Sequence, residues 1–251
     1  MKPNQLLDQR SRKTYYIRKV HSETNNSSNA LTKRAFDFAL SAIIIIFILS
    51  WLIPILALII KLDSKGPVFF IQQRIGANGR IFGCLKLRSM YVNAQANTRQ
   101  AATNDRRITR FGKFLRISCL DELPQFFNVL KGEMSIVGPR PHMLKDCEDF
   151  ANMVKNYNLR HQVKPGITGM AQVKGYRGET KDFYDVAHRY KWDIYYVKNS
   201  SFLLDLKIIH KTSVQTVGSV VKSSKKPKLS EHYVPAPSKE IKNAYAQLIE
   251  S

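Results

Sequence analysis

The run from Phe38 to Ile60, FALSAIIIIFILSWLIPILALII, holds 23 consecutive uncharged residues. It is long enough to cross a hydrocarbon layer of about 30 Å. Any fold of this chain must lay that stretch in lipid or bury it completely. It begins too late and runs too long for a cleaved signal peptide, and no small-residue cleavage site follows. The flanks argue about topology. Arg10, Arg12, Lys13, Arg18, Lys19, Lys33 and Arg34 precede the run, and Lys61, Lys65, Arg74, Arg80, Lys86 and Arg88 follow it. Orientation normally follows one basic side, yet here both sides are basic. A segment that enters and leaves by the same face satisfies both flanks. Pro54 supplies the means, because it lacks an N–H and clashes with the carbonyl of Ser50, four residues back. The Ser50 hydroxyl is a local partner for backbone groups freed by such a break. A kinked but fully spanning helix is the competing reading, and the residues alone leave both open.

The remaining charge balance narrows the partners. Lys and Arg number 40 against 19 Asp and Glu, for a formal net charge of +21 over 251 residues. Such an excess points to nucleic acid, anionic lipid headgroups or a phosphorylated substrate. The three cysteines, Cys84, Cys119 and Cys147, are widely spaced and form no CxxC, which argues against a disulfide framework or a zinc site. The histidines show no HxxxH or HExxH spacing.

Coarse periodicity then divides the chain. Residues 1–32 are expected to form a flexible basic arm, 33–61 the membrane segment and 62–221 a further domain. Residues 222–251 are expected to be a basic linker followed by an amphipathic helix. Val68 to Gln72 and Arg80 to Leu87 read as strands joined around Ala77-Asn78-Gly79. FYDVAHRYKWDIYYVKN and LLDLKIIHKTSVQTVGSVVK suit amphipathic helices. Their aromatics and lysines fit a membrane interface, and ordinary core packing fits them equally. The fold class expected is mixed α/β, helix-rich.

Chemistry concentrates in LDELPQFFNVLKGEMSIVGPRP, Leu120 to Pro141. Asp121 and Glu122 before Pro124 make a sound helix start, with Asp121 as N-cap. They also make a catalytic pair, because a helix N-terminus favours phosphate and cations crowd this one. Arg116 lies one turn upstream. Arg140, held between two prolines, presents a fixed fork to phosphate oxygens. Lys86 and Arg88 in KLRSM share one face of a strand. One carboxylate as nucleophile, one beside Mg²⁺ and several cations is a set suited to phosphoryl transfer. Cys119 lacks a neighbouring base and is a poor nucleophile candidate.

These residues resemble a known family, the bacterial sugar transferases, monotopic polyprenyl-phosphate sugar-1-phosphate transferases. The matching blocks are KRAFDFALS, GPVFFIQQRIGANGRIFGCLKLRSM, RITRFGKFLRISCLDELPQFFNVLKGEMSIVGPRP, RHQVKPGITGMAQVKGYRGET and NSSFLLDLKI, from about Lys33 to Thr212. The resemblance implies an Asp-Glu dyad at Asp121 and Glu122, with Asp121 attacking the β-phosphate of a UDP-sugar. UMP would leave, and undecaprenyl phosphate would then take the sugar phosphate from the aspartyl intermediate. Glu122 and Mg²⁺ would balance charge at the phosphates. Lys86, Arg116 and Arg140 fall on the family's basic positions, and Arg177 in GYRGET on a nucleotide contact. The family's membrane helix is re-entrant, broken at a Ser-Pro step. Here Ile53 precedes Pro54, and Cys119 stands where Ser is commoner. Longer members carry further transmembrane helices and a domain before the matching part.

The expected protein is therefore an enzyme of the bacterial inner membrane with its site on the cytoplasmic face. Its expected partners are a UDP-sugar, undecaprenyl phosphate and membrane lipids. Nucleic acid is not expected, and a homo-oligomer is allowed. The KPGITG and GYRGET blocks favour exopolysaccharide, capsule or O-antigen-type assembly. Two other classes compete: a non-catalytic membrane scaffold of a polysaccharide complex, and a membrane-tethered nucleic-acid-binding protein. The first leaves the intact dyad unexplained, and the second has no recognised nucleic-acid motif.

Overall fold

The structure, a computed structural model, describes residues 27–102, 105–178, 180 and 182–224. Most of the expected basic arm and of the C-terminal segment lies outside the described residues. Helix α1 (Ser27–Ile44) passes through a π-helical turn, Ile45–Leu49, into α2 (Ser50–Asp63). The arm therefore gives way to helix at Ser27, earlier than the composition suggests. Among the described residues this is the one helix long and apolar enough to cross a membrane, by length and composition.

Pro54 sits inside α2, and the helix is not broken there. The irregular hydrogen bonding falls just before Ser50. The Ser50 N–H bonds the carbonyl of Ile45, five residues back. The Ser50 hydroxyl donates to the Ile46 carbonyl at 2.6 Å, and the Trp51 indole N–H to that of Phe47 at 2.8 Å. Neither is the carbonyl that Pro54 leaves without a donor, which is that of Ser50, and α2 runs on through the proline. The Ser50 hydroxyl does donate to a backbone carbonyl, and the distortion is a widened turn ahead of the proline and not a break at it.

Both ends of this helix dock on the same body. Near the start, Arg34 donates to the carbonyls of Val129 and Leu130 at 2.6 and 2.9 Å. Lys33 pairs with Asp205, and Asp37 accepts the Ile136 N–H. Near the end, Leu56 and Ile60 pack with Leu87 and Leu115, and Asp63 accepts the Phe111 N–H. Between the docked ends Ile46, Phe47, Trp51 and Leu58 are exposed.

Strands β1 (Phe69–Ile75) and β2 (Ile81–Leu87) form an antiparallel hairpin with Phe69 opposite Leu87 and Ile75 opposite Ile81. Asn78 takes the left-handed conformation in its turn (φ 55°), which suits asparagine. The outer edge of β2 is taken by a side chain. Asn128, from α4 (Gln125–Lys131), accepts the Leu85 N–H at 3.0 Å and donates to the Gly83 carbonyl at 2.8 Å. That amide fixes α4 beside Lys86, which is how the hairpin meets the carboxylates.

Helix α3 (Arg110–Ile117) is capped by Thr109, whose hydroxyl accepts the Gly112 N–H at 2.9 Å. A short parallel pair follows α4: β3 (Ser135–Val137) and β4 (Gly166–Thr168). Here two backbones touch. A Cβ on Gly166 would lie 2.1 Å from the Gly138 nitrogen, so only glycine permits the GPRP loop to rest on KPG. Helix α5 (Leu144–Met153) lies between β3 and β4 in the chain and packs on β1, and α6 (Met170–Val173) follows β4. Helices α7 (Phe183–Asn199) and α8 (Phe202–Ser224) close the fold. The main core gathers Phe82, Cys84, Val129, Met134, Ile136, Val137, Val173, Tyr196 and Ile208. The last two helices differ in burial. α7 buries Val186, Ala187, Tyr196 and Val197, whereas α8 exposes Leu203, Val214 and Val217. The three cysteines are free.

Candidate active site

The chain leaves α3 through Cys119, a non-glycine residue at φ 60°, and enters a tight 3-10 turn, Leu120–Glu122. Asp121 is therefore inside that turn. The expected N-cap role is not what the structure shows: Pro124 precedes α4 and no side chain caps it. The left-handed residue reverses the chain one turn too early for Asp121 to reach the N–H groups of α4. Both carboxylates are buried instead, with 6% and 7% of their residues exposed.

Their partners differ. Lys86 Nζ lies 2.9 Å from Glu122 Oε1. Arg140 grips Glu122 with both Nη atoms, one of them 3.0 Å from Oε2. No ion pair engages Asp121 among the described residues. The charge states follow. Burial alone would raise Glu122, but Arg140 and Lys86 hold it well below the usual carboxylate range. Burial, and next the charge of Glu122, push Asp121 up from 3.8 to about 6, against the pull of Lys86, Arg116 and Arg140. One carboxylate is a fixed anion. Its neighbour is a buried, unpaired carboxyl that ionises near neutrality, as a nucleophile requires.

A cavity of about 380 Å³ opens onto the pair, and Lys86, Arg116, Arg140 and Arg177 also line it. That volume suits a small-molecule substrate. Arg116 has no ion pair among the described residues, yet its charge acts on Asp121. Arg177 is exposed at the rim and donates to Cys119 Sγ at 2.8 Å. Arg88 goes elsewhere. It lines the cavity wall, but its guanidinium donates to the carbonyls of Ile60 (3.3 Å), Ser64 (2.7 Å) and Lys65, where α2 ends. Strand alternation suggested a phosphate contact; the local reason its guanidinium points here is the cluster of carbonyls at the C-terminal end of α2, where Ile60 also accepts the Ser64 N–H.

Among the described residues no three metal-binding side chains converge. The carboxylate pair still fits magnesium in its usual mode, one or two carboxylates completed by substrate phosphates. Three charged donors occupy Glu122, which leaves one of its roughly four acceptor positions, on Oε2, and both oxygens of Asp121.

Behind the dyad lies a polar network that sequence reasoning missed. Arg160 donates to Asp193 Oδ2 from Nε at 2.9 Å and Nη2 at 2.6 Å, and from Nη2 to the Arg140 carbonyl at 2.6 Å. Arg160 and Asp193 are almost wholly buried, so this ion pair fixes the backbone of the residue that grips Glu122. One signal was available: Arg189 and Asp193 interrupt the apolar stripe of α7 formed by Val186, Ala187, Tyr196 and Val197.

Comparison with known proteins identifies the family. A family described as "Bacterial sugar transferase" matches residues 28–219. A UDP-glucose:undecaprenyl-phosphate glucose-1-phosphate transferase of Klebsiella pneumoniae is 47% identical over 188 residues, 74% of this chain and 40% of that protein. One of the same name from Xanthomonas campestris pv. campestris is 51% identical over 161 residues, 63% of this chain and 33% of that protein. An "Exopolysaccharide production protein PSS" of Rhizobium leguminosarum bv. phaseoli is 42% identical over 187 residues, 72% of this chain and 93% of that protein. The chain thus spans 40% or less of the length of the first two.

Proposed function

The chain belongs to the bacterial sugar transferase family, and from that premise we propose that it is a phosphoglycosyl transferase. It moves a sugar 1-phosphate from a UDP-sugar to undecaprenyl phosphate and opens the assembly of an exopolysaccharide or related glycan. The observation that carries this reading is the unequal pair: Glu122 held ionised by Lys86 and Arg140, and Asp121 beside it without an ion pair.

The chemistry follows from that asymmetry. An Asp121 oxygen forms a bond to the β-phosphorus, and the bond from that phosphorus to the bridging oxygen breaks. The electron pair leaves with UMP. A phosphate oxygen of undecaprenyl phosphate next attacks the same phosphorus, and the Asp121–phosphorus bond returns its pair to the carboxylate. Lys86, Arg116 and Arg140 neutralise charge that grows on the phosphoryl oxygens. Magnesium, if bound, would be held by Glu122 and Asp121 together with the substrate phosphates, and would supply further neutralisation of the same charge. A panel of UDP-sugars with undecaprenyl phosphate and Mg²⁺ tests the reading. UMP should appear with one or a few donors, and silence across the panel would refute it.

The pH profile should carry the mark of Asp121. The nucleophile must be ionised and its carboxyl is raised to about 6, so kcat/KM should climb through that region to a plateau above it. Lys86 lowers that value, so Lys86→Met should move the climb to higher pH. An unmoved profile would contradict the electrostatic account.

The apolar segment is proposed to enter and leave the cytoplasmic leaflet of the inner membrane by one face. What supports this is that Arg34 and Asp37 at one end, and Ile60 and Asp63 at the other, hold the same body. Cysteines introduced at Leu31 and Lys65 should both resist a membrane-impermeant maleimide in intact cells and react after permeabilisation. Labelling of either from outside would overturn the hairpin.

A further inference from the structure

His142, two residues beyond Arg140, is wedged between guanidinium groups. Arg160 Nη1 lies 3.2 Å from Nδ1, the Tyr157 hydroxyl 2.6 Å from the same atom, and Arg189 Nη1 3.3 Å from Nε2. Burial first, and then the charges of Arg160, Arg189, Arg74 and Arg140, hold the imidazole well below its ordinary pKa, so it is neutral. A neutral imidazole has one acceptor nitrogen. It cannot accept from both guanidiniums. Arg160 is well served without it, by Asp193 and the Arg140 carbonyl. Arg189 is not. Its other bond is one to the Gly178 carbonyl at 3.2 Å, and its Nε is buried without a partner.

Arg189 is only 6% exposed, and no carboxylate forms an ion pair with it among the described residues; the nearby charge of Asp193 acts on it, but that carboxylate is already engaged by Arg160. A buried cation that only shares a counter-ion in this way gains from a ligand that supplies further negative charge. The residue lines the same cavity as Asp121, Glu122 and Arg140. We propose that Arg189 binds the α-phosphate of the UDP-sugar, the phosphate that departs as UMP. This rests on the reaction proposed above.

Two phosphates could in principle meet Arg189, that of the nucleotide or that of the lipid. Position favours the nucleotide. Its partners His142 and Gly178 lie on loops, and none is on α1, α2 or the helices α3 and α4 that pack against them. A lipid phosphate arrives from the membrane segment, a nucleotide from water. The α-phosphate also adjoins the β-phosphorus that Asp121 attacks, as Arg189 adjoins Arg140 across His142. When the bridging bond breaks, the pair left on that oxygen raises the charge of UMP in the cavity that Arg189 lines.

UMP itself is the probe. The inhibition constant for UMP and the KM values for the UDP-sugar and undecaprenyl phosphate are measured for the unaltered protein, Arg189→Gln and Arg189→Lys. A charged hydrogen bond lost should weaken UMP and raise the donor KM by on the order of 10- to 100-fold in Arg189→Gln. The acceptor KM should not move. Arg189→Lys keeps the charge and should recover part of the loss, which a merely structural residue would not predict. It also serves if the glutamine variant fails to fold. Unchanged UMP inhibition in either folded variant overturns the assignment, and so does a rise confined to the acceptor KM. If the unaltered protein releases no UMP from any donor, the reaction and this subsite fall together. If it does and the constants are unmoved, only the subsite falls.

Discussion

Asp121→Asn should abolish UMP release and leave a more stable protein. The loss follows from chemistry: the amide keeps the shape but is no nucleophile, so turnover should fall on the order of 10⁴-fold or more. No phosphosugar adduct should be trapped. The gain in stability follows from burial. A carboxyl raised from 3.8 to about 6 favours the fold while protonated, and that contribution is lost as pH rises through about 6. At neutral pH the ionised group therefore costs about 3 kcal/mol, which a neutral amide of the same shape avoids. The melting temperature of Asp121→Asn should rise by several degrees at pH 7.5, and the rise should shrink at pH 5. A dead, destabilised variant would break the link between the two effects. An adduct that persists would remove Asp121 from the nucleophile's place. Glu122→Gln should behave differently: it strands Lys86 and Arg140 without their anion, slows turnover and lowers stability.

The largest stability loss is expected at Asp193. Its carboxylate is the one ion-pair partner of Arg160 among the described residues, and both side chains are about 98% buried or more. Removing one member of a buried pair leaves the other charge uncompensated, at about 3–5 kcal/mol. Asp193→Asn should lower the melting temperature by roughly 10 °C in a chain of this size. Turnover should fall as well, because Arg160 also holds the Arg140 carbonyl. The double variant Arg160→Met, Asp193→Leu separates the two effects. Two apolar side chains can replace a buried pair at little cost, so thermal stability should largely return. Turnover should not, because the Arg140 carbonyl still lacks its donor. Recovery of both would show that Arg160 is structural only.

These two predictions also mark what the sequence made legible. Asp121, Glu122 and Arg140 stand within one short block, and Lys86 lies on a strand whose pattern is plain, so local rules could propose the cluster, although they served a helix cap equally and only the family resemblance favoured catalysis. The network around His142 could not. Arg160 and Asp193 are 33 positions apart, and Arg189 and His142 are 47 apart. Only a tertiary fold tells a buried arginine with a partner from one without. Arg88 shows the same limit. Alternation put it correctly beside Lys86 in the chain, but its partners come from 24 residues upstream at Ser64. Pro54 suggested a break, yet the helix runs through it, and the irregular turn falls earlier, at Ile45–Leu49. There the Ser50 hydroxyl and the Trp51 indole donate to the Ile46 and Phe47 carbonyls, a local arrangement that a single proline does not announce.

Arg88 has a mechanical consequence. Its guanidinium is bolted to the final carbonyls of α2, and two residues earlier on the same stretch Lys86 holds Glu122. The apolar segment and the carboxylate pair are thus joined by one short stretch of strand. Wherever the segment settles, this joint holds the carboxylates at one height relative to it. On the proposed reaction, that fixed height would let a lipid-borne phosphate react without being lifted out of its leaflet.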